Sequence, residues 1–167
     1  MRSPGYYNVL FFCMRNSARS IMAEGLLNQW GQGRFRAYSA GLYPNGHIHP
    51  LALATLGRHD LPTDGLRSKS WDEFVKETPS PVLHFVFTLC EEVARQQAPQ
   101  WPGEPMTAQW SIGDPGSVAG SLEMRVRAFD AAFRALEARI KLFTQLRIEE
   151  VDRATLQRDL EAIGLPS

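Results

Sequence analysis

The feature that most restricts the fold of this chain is an apolar run, Tyr6 to Phe12, followed directly by a polar loop and then by a helical pattern. The run is rich in aromatic and β-branched residues and has the length of a buried strand, which suits the first strand of a parallel sheet. From Ser20 onward the apolar residues recur with a helical period, until Gly31 and Gly33 end the pattern. The chain therefore begins with a strand, a tight loop and a helix.

The remaining sequence continues this alternation. Three further strands are predicted, at Phe35–Ala40, Val82–Leu89 and Met106–Ile112. A second helix is predicted between the first two of them, at Pro50–Arg58. A long amphipathic helix is predicted at about 121–146 and a shorter one at about 148–163, within one domain that spans residues 1–167. Alternating strands and helices predict an α/β three-layer sandwich, with a central four-stranded parallel sheet, helices on both faces and a ligand at the carboxyl ends of the strands.

The charge balance and the few cysteines restrict the classes of partner. Eighteen basic residues offset eighteen acidic ones, so we expect no attraction to nucleic acid or to an anionic membrane. The apolar run Val9 to Phe12 is too short for a signal peptide or a membrane span. Two cysteines, Cys13 and Cys90, are too few for a secreted disulfide framework, and they indicate a reducing compartment, most simply the cytoplasm.

The loop after the first strand carries the candidate chemistry. Cys13 and Arg19 stand at its two ends, and a loop of this size can direct its backbone N–H groups at an anion beside the N-terminus of the following helix. The predicted oxyanion cradle consists of Met14, Arg15, Asn16, Ser17, Ala18, Arg19 and Ser20. The same field should lower the pKa of Cys13 and make it a nucleophile, with Ser20 donating its hydroxyl to the thiolate and Asn16 bracing the loop. Alternatively, Cys13 is a small buried apolar residue and Arg19 a surface residue.

The segment Val9–Asn28 resembles the active-site segment of the low-molecular-weight tyrosine phosphatase superfamily, in its arsenate reductase branch. Further blocks similar to that branch follow in the same order, at Tyr38–Gly41, His49-Pro50, Ser68–Phe74, Phe85–Cys90, Trp101–Gly103 and Asp114-Pro115. The resemblance extends over residues 8 to 120, whereas the C-terminal helices fit only by pattern. It implies the three-layer fold of that superfamily.

The resemblance also implies roles for particular residues. Cys13 would be the nucleophile, Arg19 would bind the oxyanion, and Asp114 would be the general acid that protonates the leaving oxygen. Without the resemblance, the sequence around Asp114 favours a turn aspartate before a proline over a general acid. Cys90 matches the second redox cysteine of the reductases, and its alternative is a buried structural cysteine.

Reductase and phosphatase both begin with attack by the cysteine, and they differ in what resolves the covalent adduct. The resemblance implies reduction of arsenate to arsenite, an arsenical detoxification, through a Cys13–arsenate adduct that is resolved by Cys90, by an external thiol, or by both. Ala98 stands where thioredoxin-coupled relatives keep a third cysteine, so an external thiol such as glutathione with glutaredoxin is expected to complete the cycle. No bound cofactor or metal is expected, because the His47 and His49 pair lacks further ligands.

Two other functions remain open at this stage. One is a tyrosine phosphatase that hydrolyses phosphotyrosine through a phosphocysteine intermediate, and Gly116 argues against it because phosphatases of this superfamily place an aromatic residue after the Asp-Pro pair. Within the loop, Arg15 stands where many relatives have glycine, and Ala18 replaces a common cysteine. The other is a catalytically inactive relative that binds an oxyanion or a protein partner, which the joint presence of Cys13, Arg19 and Asp114 argues against.

Overall fold

The computed structural model of the chain describes residues 5–76, 80–94 and 99–165. The strands and α-helices are β1 (Tyr7–Cys13), α1 (Arg19–Trp30), β2 (Phe35–Gly41), α2 (Pro50–Arg58), β3 (Phe85–Thr88), α3 (Glu91–Ala94), β4 (Met106–Gln109), α4 (Leu122–Thr144) and α5 (Arg153–Gly164). Short 3-10 helices cover Trp71–Phe74, Pro115–Ser117 and Ile148–Glu150. In the described ranges no helix is long and apolar enough to cross a membrane.

The four strands form one parallel sheet, as predicted, and their order is β2-β1-β3-β4. Phe12 of β1 lies opposite Ala40 on one side and Thr88 on the other, so the carboxyl ends of the three strands meet at one edge. Strands that are covered on both faces read as continuous apolar runs, and β1 is buried along most of its length. The loop after β1 therefore emerges at the edge where α/β proteins bind ligands.

Alternate side chains of β1 enter two separate cores. Val9 and Phe11 pack into the larger core, which includes residues of α1, α2, α4 and α5. Leu10 and Phe12 face the smaller core, which contains Phe74 of a 3-10 helix. The prediction of helices on both faces of the sheet is confirmed, although the face toward the smaller core is covered by much shorter elements than the face toward the larger core.

Trp110 joins the C-terminal helix to the sheet. Its ring stacks on Phe87 with centroids 3.8 Å apart, and its Nε1 donates to the Leu160 carbonyl at 2.9 Å. The indole is fully buried, so Trp110 is a packing residue.

The predicted bounds differ from the structure at several ends. β3 is Phe85–Thr88 rather than Val82–Leu89, because the stretch before it is irregular and leaves Val82 exposed. β4 ends at Gln109 rather than Ile112, where the chain leaves the sheet toward the active site. The predicted helix at 148–163 is wrong at its start, because Asp152 accepts from the Thr155 N–H at 2.7 Å and caps a helix that begins only at Arg153.

Candidate active site

The loop between β1 and α1 rests on the end of β2. The Leu42 N–H donates to the Cys13 carbonyl at 3.0 Å, and the Tyr43 N–H donates to the Met14 carbonyl at 2.8 Å. Between these contacts the loop backbone passes so close to Gly41 that a β-carbon there would lie 2.9 Å from loop backbone atoms. Only glycine fits this position without displacing the loop.

Asn16 is the internal brace of the loop. Its backbone is left-handed, with φ of 51°, and its side chain is buried. Its Nδ2 donates to Ser20 Oγ at 2.8 Å, and its Oδ1 accepts from the Lys69 N–H at 2.9 Å. These two hydrogen bonds agree with the predicted bracing role of Asn16. Ser20 lies fully buried behind the loop, and its donation to Cys13 stays a prediction.

The loop encloses a cavity of about 560 Å³. Its walls are formed by Cys13, Met14, Arg15, Asn16, Ser17, Ala18, Arg19, Glu92, Asp114, Gly116 and Ser117. The structure thus brings the predicted nucleophile, oxyanion ligand and general acid to one cavity, although Asp114 lies 101 positions along the chain from Cys13. The backbone amides and the guanidinium around this cavity suit a tetrahedral anion.

Arg19 and Asp114 belong to a connected wall of the cavity. Arg19 is largely buried, and its Nη1 donates to the Ile112 carbonyl at 2.9 Å, which ties the start of α1 to the segment after β4. Asp114 is exposed; its Oδ1 accepts from the Gly116 N–H at 2.9 Å, and its carbonyl accepts from Ser117 Oγ at 2.8 Å. Asp114 is therefore both a turn aspartate and a residue of the cavity wall.

The two cysteines meet at the floor of the site. Cys13 ends β1 and Cys90 follows β3, and both are buried in the smaller core. The two thiols are free and hydrogen-bonded to each other. Because neighbouring parallel strands end at the same edge, residues 77 positions apart come into contact here.

This contact changes the expected acidity of Cys13. The hydrogen bond with Cys90, together with burial, raises the pKa of Cys13 well above its usual value, against the lowering effects of Arg19 and the Met14 N–H. The pKa of Cys90 is lowered, chiefly because it accepts the hydrogen bond from Cys13. The predicted lowering of the Cys13 pKa is therefore wrong: Arg19 and the Met14 N–H act in the predicted direction, but the hydrogen bond with Cys90 and burial outweigh them, and Cys90 is the sulfur whose ionisation the contact favours.

Some residues of the site were missed by sequence reasoning. Glu92 lines the cavity and is hydrogen-bonded to Cys90. Its signal was its position two residues after Cys90, at the start of a helix that is too short for a periodic pattern. Ala98, expected to mark the missing third cysteine, lies outside the described residues.

His49 has a structural contact beside the cavity. Its Nδ1 accepts from the Leu51 N–H at 3.1 Å and so caps α2, and its ring packs on Phe129. Burial, with the nearby Arg125, lowers the pKa of His49. In the part of the chain that the structure describes, no three His, Cys, Asp or Glu side chains cluster in a way that could hold a metal ion.

Comparisons with known proteins place the chain among phosphatases and arsenate reductases. Residues 8–159 match the family described as low molecular weight phosphotyrosine protein phosphatase. An arsenate reductase of Shouchella clausii strain KSM-K16 is 27% identical over 145 residues, which cover 82% of this chain and 94% of that protein. A glutaredoxin arsenate reductase of Synechocystis sp. is 30% identical over 107 residues, which cover 64% of this chain and 77% of that protein.

The fold comparison agrees. A solved arsenate reductase in its phosphate-binding state superimposes with a TM-score of 0.67 over 83% of this chain and 96% of that one, at 24% sequence identity. At that identity the likeness concerns the fold, which is the predicted four-stranded α/β sandwich.

Proposed function

Because the chain belongs to the low molecular weight phosphotyrosine protein phosphatase family, we propose that it uses the cysteine chemistry of that family to reduce arsenate to arsenite. The observation that carries this proposal is the contact between two buried thiols, one of which, Cys13, lines the cavity that the loop encloses. A phosphatase needs one thiol, whereas reduction needs two, because two sulfurs together release two electrons when they form a disulfide. The arsenate reductases among the relatives support the same conclusion.

The first step joins arsenic to sulfur. Cys13 Sγ attacks the arsenic atom of a bound arsenate, an As–O bond breaks, and the departing oxygen takes a proton from Asp114 and leaves as water. The Arg19 guanidinium and the loop amides hold the remaining oxygens and offset their charge. The proton of Cys13 passes along its hydrogen bond to Cys90, so that Cys13 attacks as a thiolate although its own pKa is raised.

The second step transfers the electrons. Cys90, deprotonated again, attacks Cys13 Sγ, a disulfide forms, and the As–S bonding pair stays on arsenic, which leaves as arsenite. Two sulfurs lose two electrons in total and As(V) becomes As(III), so the step balances. The Glu92 carboxylate beside Cys90 is placed to take its proton.

An external thiol must then reduce the disulfide. A glutaredoxin-linked relative and a thioredoxin-dependent one make a small thiol or a thiol protein the expected donor class. Among these we propose glutathione with glutaredoxin, in the reducing cytoplasm, because the chain has no third cysteine to carry the oxidation onward.

A single-turnover experiment without donor tests the internal route. The reduced protein is mixed with arsenate in the absence of oxygen, and free thiols and arsenite are counted. We expect both of its two cysteines to disappear with the release of about one arsenite per chain. Arsenate that leaves both thiols free would contradict the proposal.

The variant Cys90→Ser separates the possible routes. If the internal disulfide is obligatory, we expect this variant to accumulate the Cys13 adduct and to release little arsenite, with or without glutathione and glutaredoxin. Full turnover of this variant with glutathione and glutaredoxin would show that the internal disulfide is not obligatory, whereas rapid thiol-independent cleavage of p-nitrophenyl phosphate by the wild type would favour a phosphatase.

A further inference from the structure

A buried ion pair lies behind the anion-binding loop, and neither proposed step uses it. Glu24 is on α1, and Lys69 is on the segment that leads into the 3-10 helix Trp71–Phe74. Lys69 Nζ lies 3.6 Å from Glu24 Oε1, and the two side chains are only 8% and 12% exposed. A pair so removed from water costs free energy to desolvate, so its retention calls for a structural or functional reason.

The ammonium of Lys69 is surrounded by oxygen atoms. It donates to the Arg67 carbonyl at 3.0 Å and to Ser39 Oγ at 3.5 Å. The Ser39 hydroxyl in turn donates to Glu24 Oε1 at 2.5 Å. The ammonium thus ties its own segment, residues 67–69, to both β2 and α1.

The backbone of the same segment holds the loop. The Lys69 N–H donates to Asn16 Oδ1, and the Lys69 carbonyl accepts from the Gly41 N–H, each at 2.9 Å. Asn16 is the left-handed brace, and Gly41 is the residue on which the loop rests. A shift of Lys69 would therefore move both supports of the oxyanion cradle at once.

The charged state of each side chain in this buried pair depends on the charge of the other. Burial raises the pKa of Glu24, against the attraction of Lys69, the Ser39 hydrogen bond and Arg67. Burial lowers the pKa of Lys69, against the attraction of Glu24 and Glu73, with Arg67 acting in the same direction as burial. Without the ammonium, Glu24 would be a buried carboxylate that lacks its main compensating charge.

We propose that Lys69 is a positioning residue for oxyanion binding, whose buried ammonium neutralises Glu24 and thereby fixes the segment that holds Asn16 and Gly41. This inference rests on the part of the proposed function in which a tetrahedral oxyanion binds above Cys13. It holds equally for a reductase and for a phosphatase, and it assigns Lys69 no contact with the substrate.

The test compares the wild type with Lys69→Met and with the double variant Lys69→Met/Glu24→Gln. The readout is the concentration of inorganic phosphate that halves the rate of iodoacetamide alkylation at Cys13, followed by mass spectrometry of the peptide. Each variant is compared with the wild type at the same pH, so that the ionisation of phosphate cancels. Lys141→Met, which removes an exposed lysine 4.0 Å from Glu137, is the control.

We expect Lys69→Met to need about tenfold more phosphate than the wild type at about pH 8, because small displacements of a binding constellation carry large penalties. The defect should shrink as the pH is lowered, because burial raises the pKa of Glu24 and the unpaired carboxylate then takes up a proton more readily. The double variant and Lys141→Met should stay within about threefold of the wild type at each pH, since an uncharged pair can replace a buried ion pair.

The alternative outcomes are distinguishable. If phosphate fails to protect the wild type, the proposed oxyanion site itself is wrong. If phosphate protects Lys69→Met as well as the wild type, or if the double variant is as defective as the single one at every pH, the role of Lys69 is overturned. Should Lys69→Met fail to fold, a folded double variant with normal protection upholds charge compensation, and a double variant that misfolds or loses protection refutes it.

Discussion

At the scale of single residues, Gly41 is the most restrictive contact of the loop. A β-carbon there would meet the backbone of Arg15 and Asn16 at 2.9 Å, and backbone cannot yield as a flexible side chain can. We expect Gly41→Ala to weaken phosphate binding by about tenfold or more and to lower the free energy of unfolding by about 1–3 kcal/mol. Calorimetric titration with phosphate and urea denaturation measure the two effects.

Gly57→Ala is the matched control for this change. Gly57 lies in α2, and a β-carbon there would meet nothing within 4 Å. This variant should bind phosphate normally and be unchanged or slightly more stable, because alanine favours helix. Normal phosphate binding by Gly41→Ala would show that the conformation of the loop does not depend on its close contact with residue 41.

Gly116 lies where an aromatic side chain would form a wall of the cavity. It lines the cavity, and a β-carbon there would be 3.2 Å from Asp114 Oδ1 and 3.7 Å from His49, so a side chain can be accommodated by small shifts. We expect Gly116→Tyr to raise kcat/KM for p-nitrophenyl phosphate by about fivefold over Gly116→Ala, because aromatic contacts contribute about 1 kcal/mol. Equal aryl phosphate cleavage by the two variants would show that an aromatic side chain at position 116 does not improve the binding of an aryl substrate.

Single residues of the site were predictable to different degrees. Cys13, Arg19 and Asp114 were identified because loop spacing and family resemblance are properties of the sequence. The acidity of Cys13 was not, because it depends on a hydrogen bond with Cys90 that only the packing of β1 beside β3 creates. Lys69 was noticed only within a block of resemblance, because nothing local signals a partner 45 positions away on α1.

At the scale of elements, His84, the residue directly before β3, connects that strand to β1 through a side-chain hydrogen bond. The Asn8 N–H donates to His84 Nδ1 at 2.8 Å, and burial lowers the pKa of His84. This contribution to stability is fully present above the unfolded pKa of about 6.5 and is lost as pH falls through that value toward the lower folded pKa. We expect the urea midpoint of the wild type to decrease as the pH is lowered from about 7.5 to about 5.5.

His84→Asn is the informative control for this titration, since an asparagine oxygen can accept at the position of Nδ1 and does not titrate. The variant should lose less stability than the wild type over the same pH interval, while His49 contributes equally in both. Identical pH dependence of the two proteins would show that the His84 hydrogen bond is not linked to folding.

Elements were predicted better at their centres than at their ends. The helix α2 was predicted with its observed bounds, because a proline marks its first turn and its apolar face is regular. The start of α5 was missed because Ile148 is buried in a separate 3-10 turn that continues the helical spacing of apolar residues. The Asp152 cap, three residues before the Thr155 that it contacts, was the available signal.

At the scale of the whole molecule, the parallel sheet assembles the site from distant segments. β1, β3 and β4 deliver Cys13, Cys90 and Asp114 to the same edge. The alternation of strands and helices predicted one parallel sheet, whereas the order of its strands was not predicted. The sequence therefore indicated which residues would meet. The hydrogen bond between the two thiols and the ion pair behind the loop could not be predicted from the sequence, because both arise only from burial in the assembled fold.

The most direct measurement is arsenate-dependent oxidation of NADPH by the reduced protein, coupled through glutathione and glutaredoxin and, in parallel, through thioredoxin. Cys13→Ser is the blank, and p-nitrophenyl phosphate is the competing substrate. We predict oxidation with glutathione and glutaredoxin that disappears in Cys13→Ser and is much slower with thioredoxin. Absence of oxidation with either donor, together with thiol-independent cleavage of the aryl phosphate, would contradict arsenate reduction and leave a phosphatase in which Cys90 is structural.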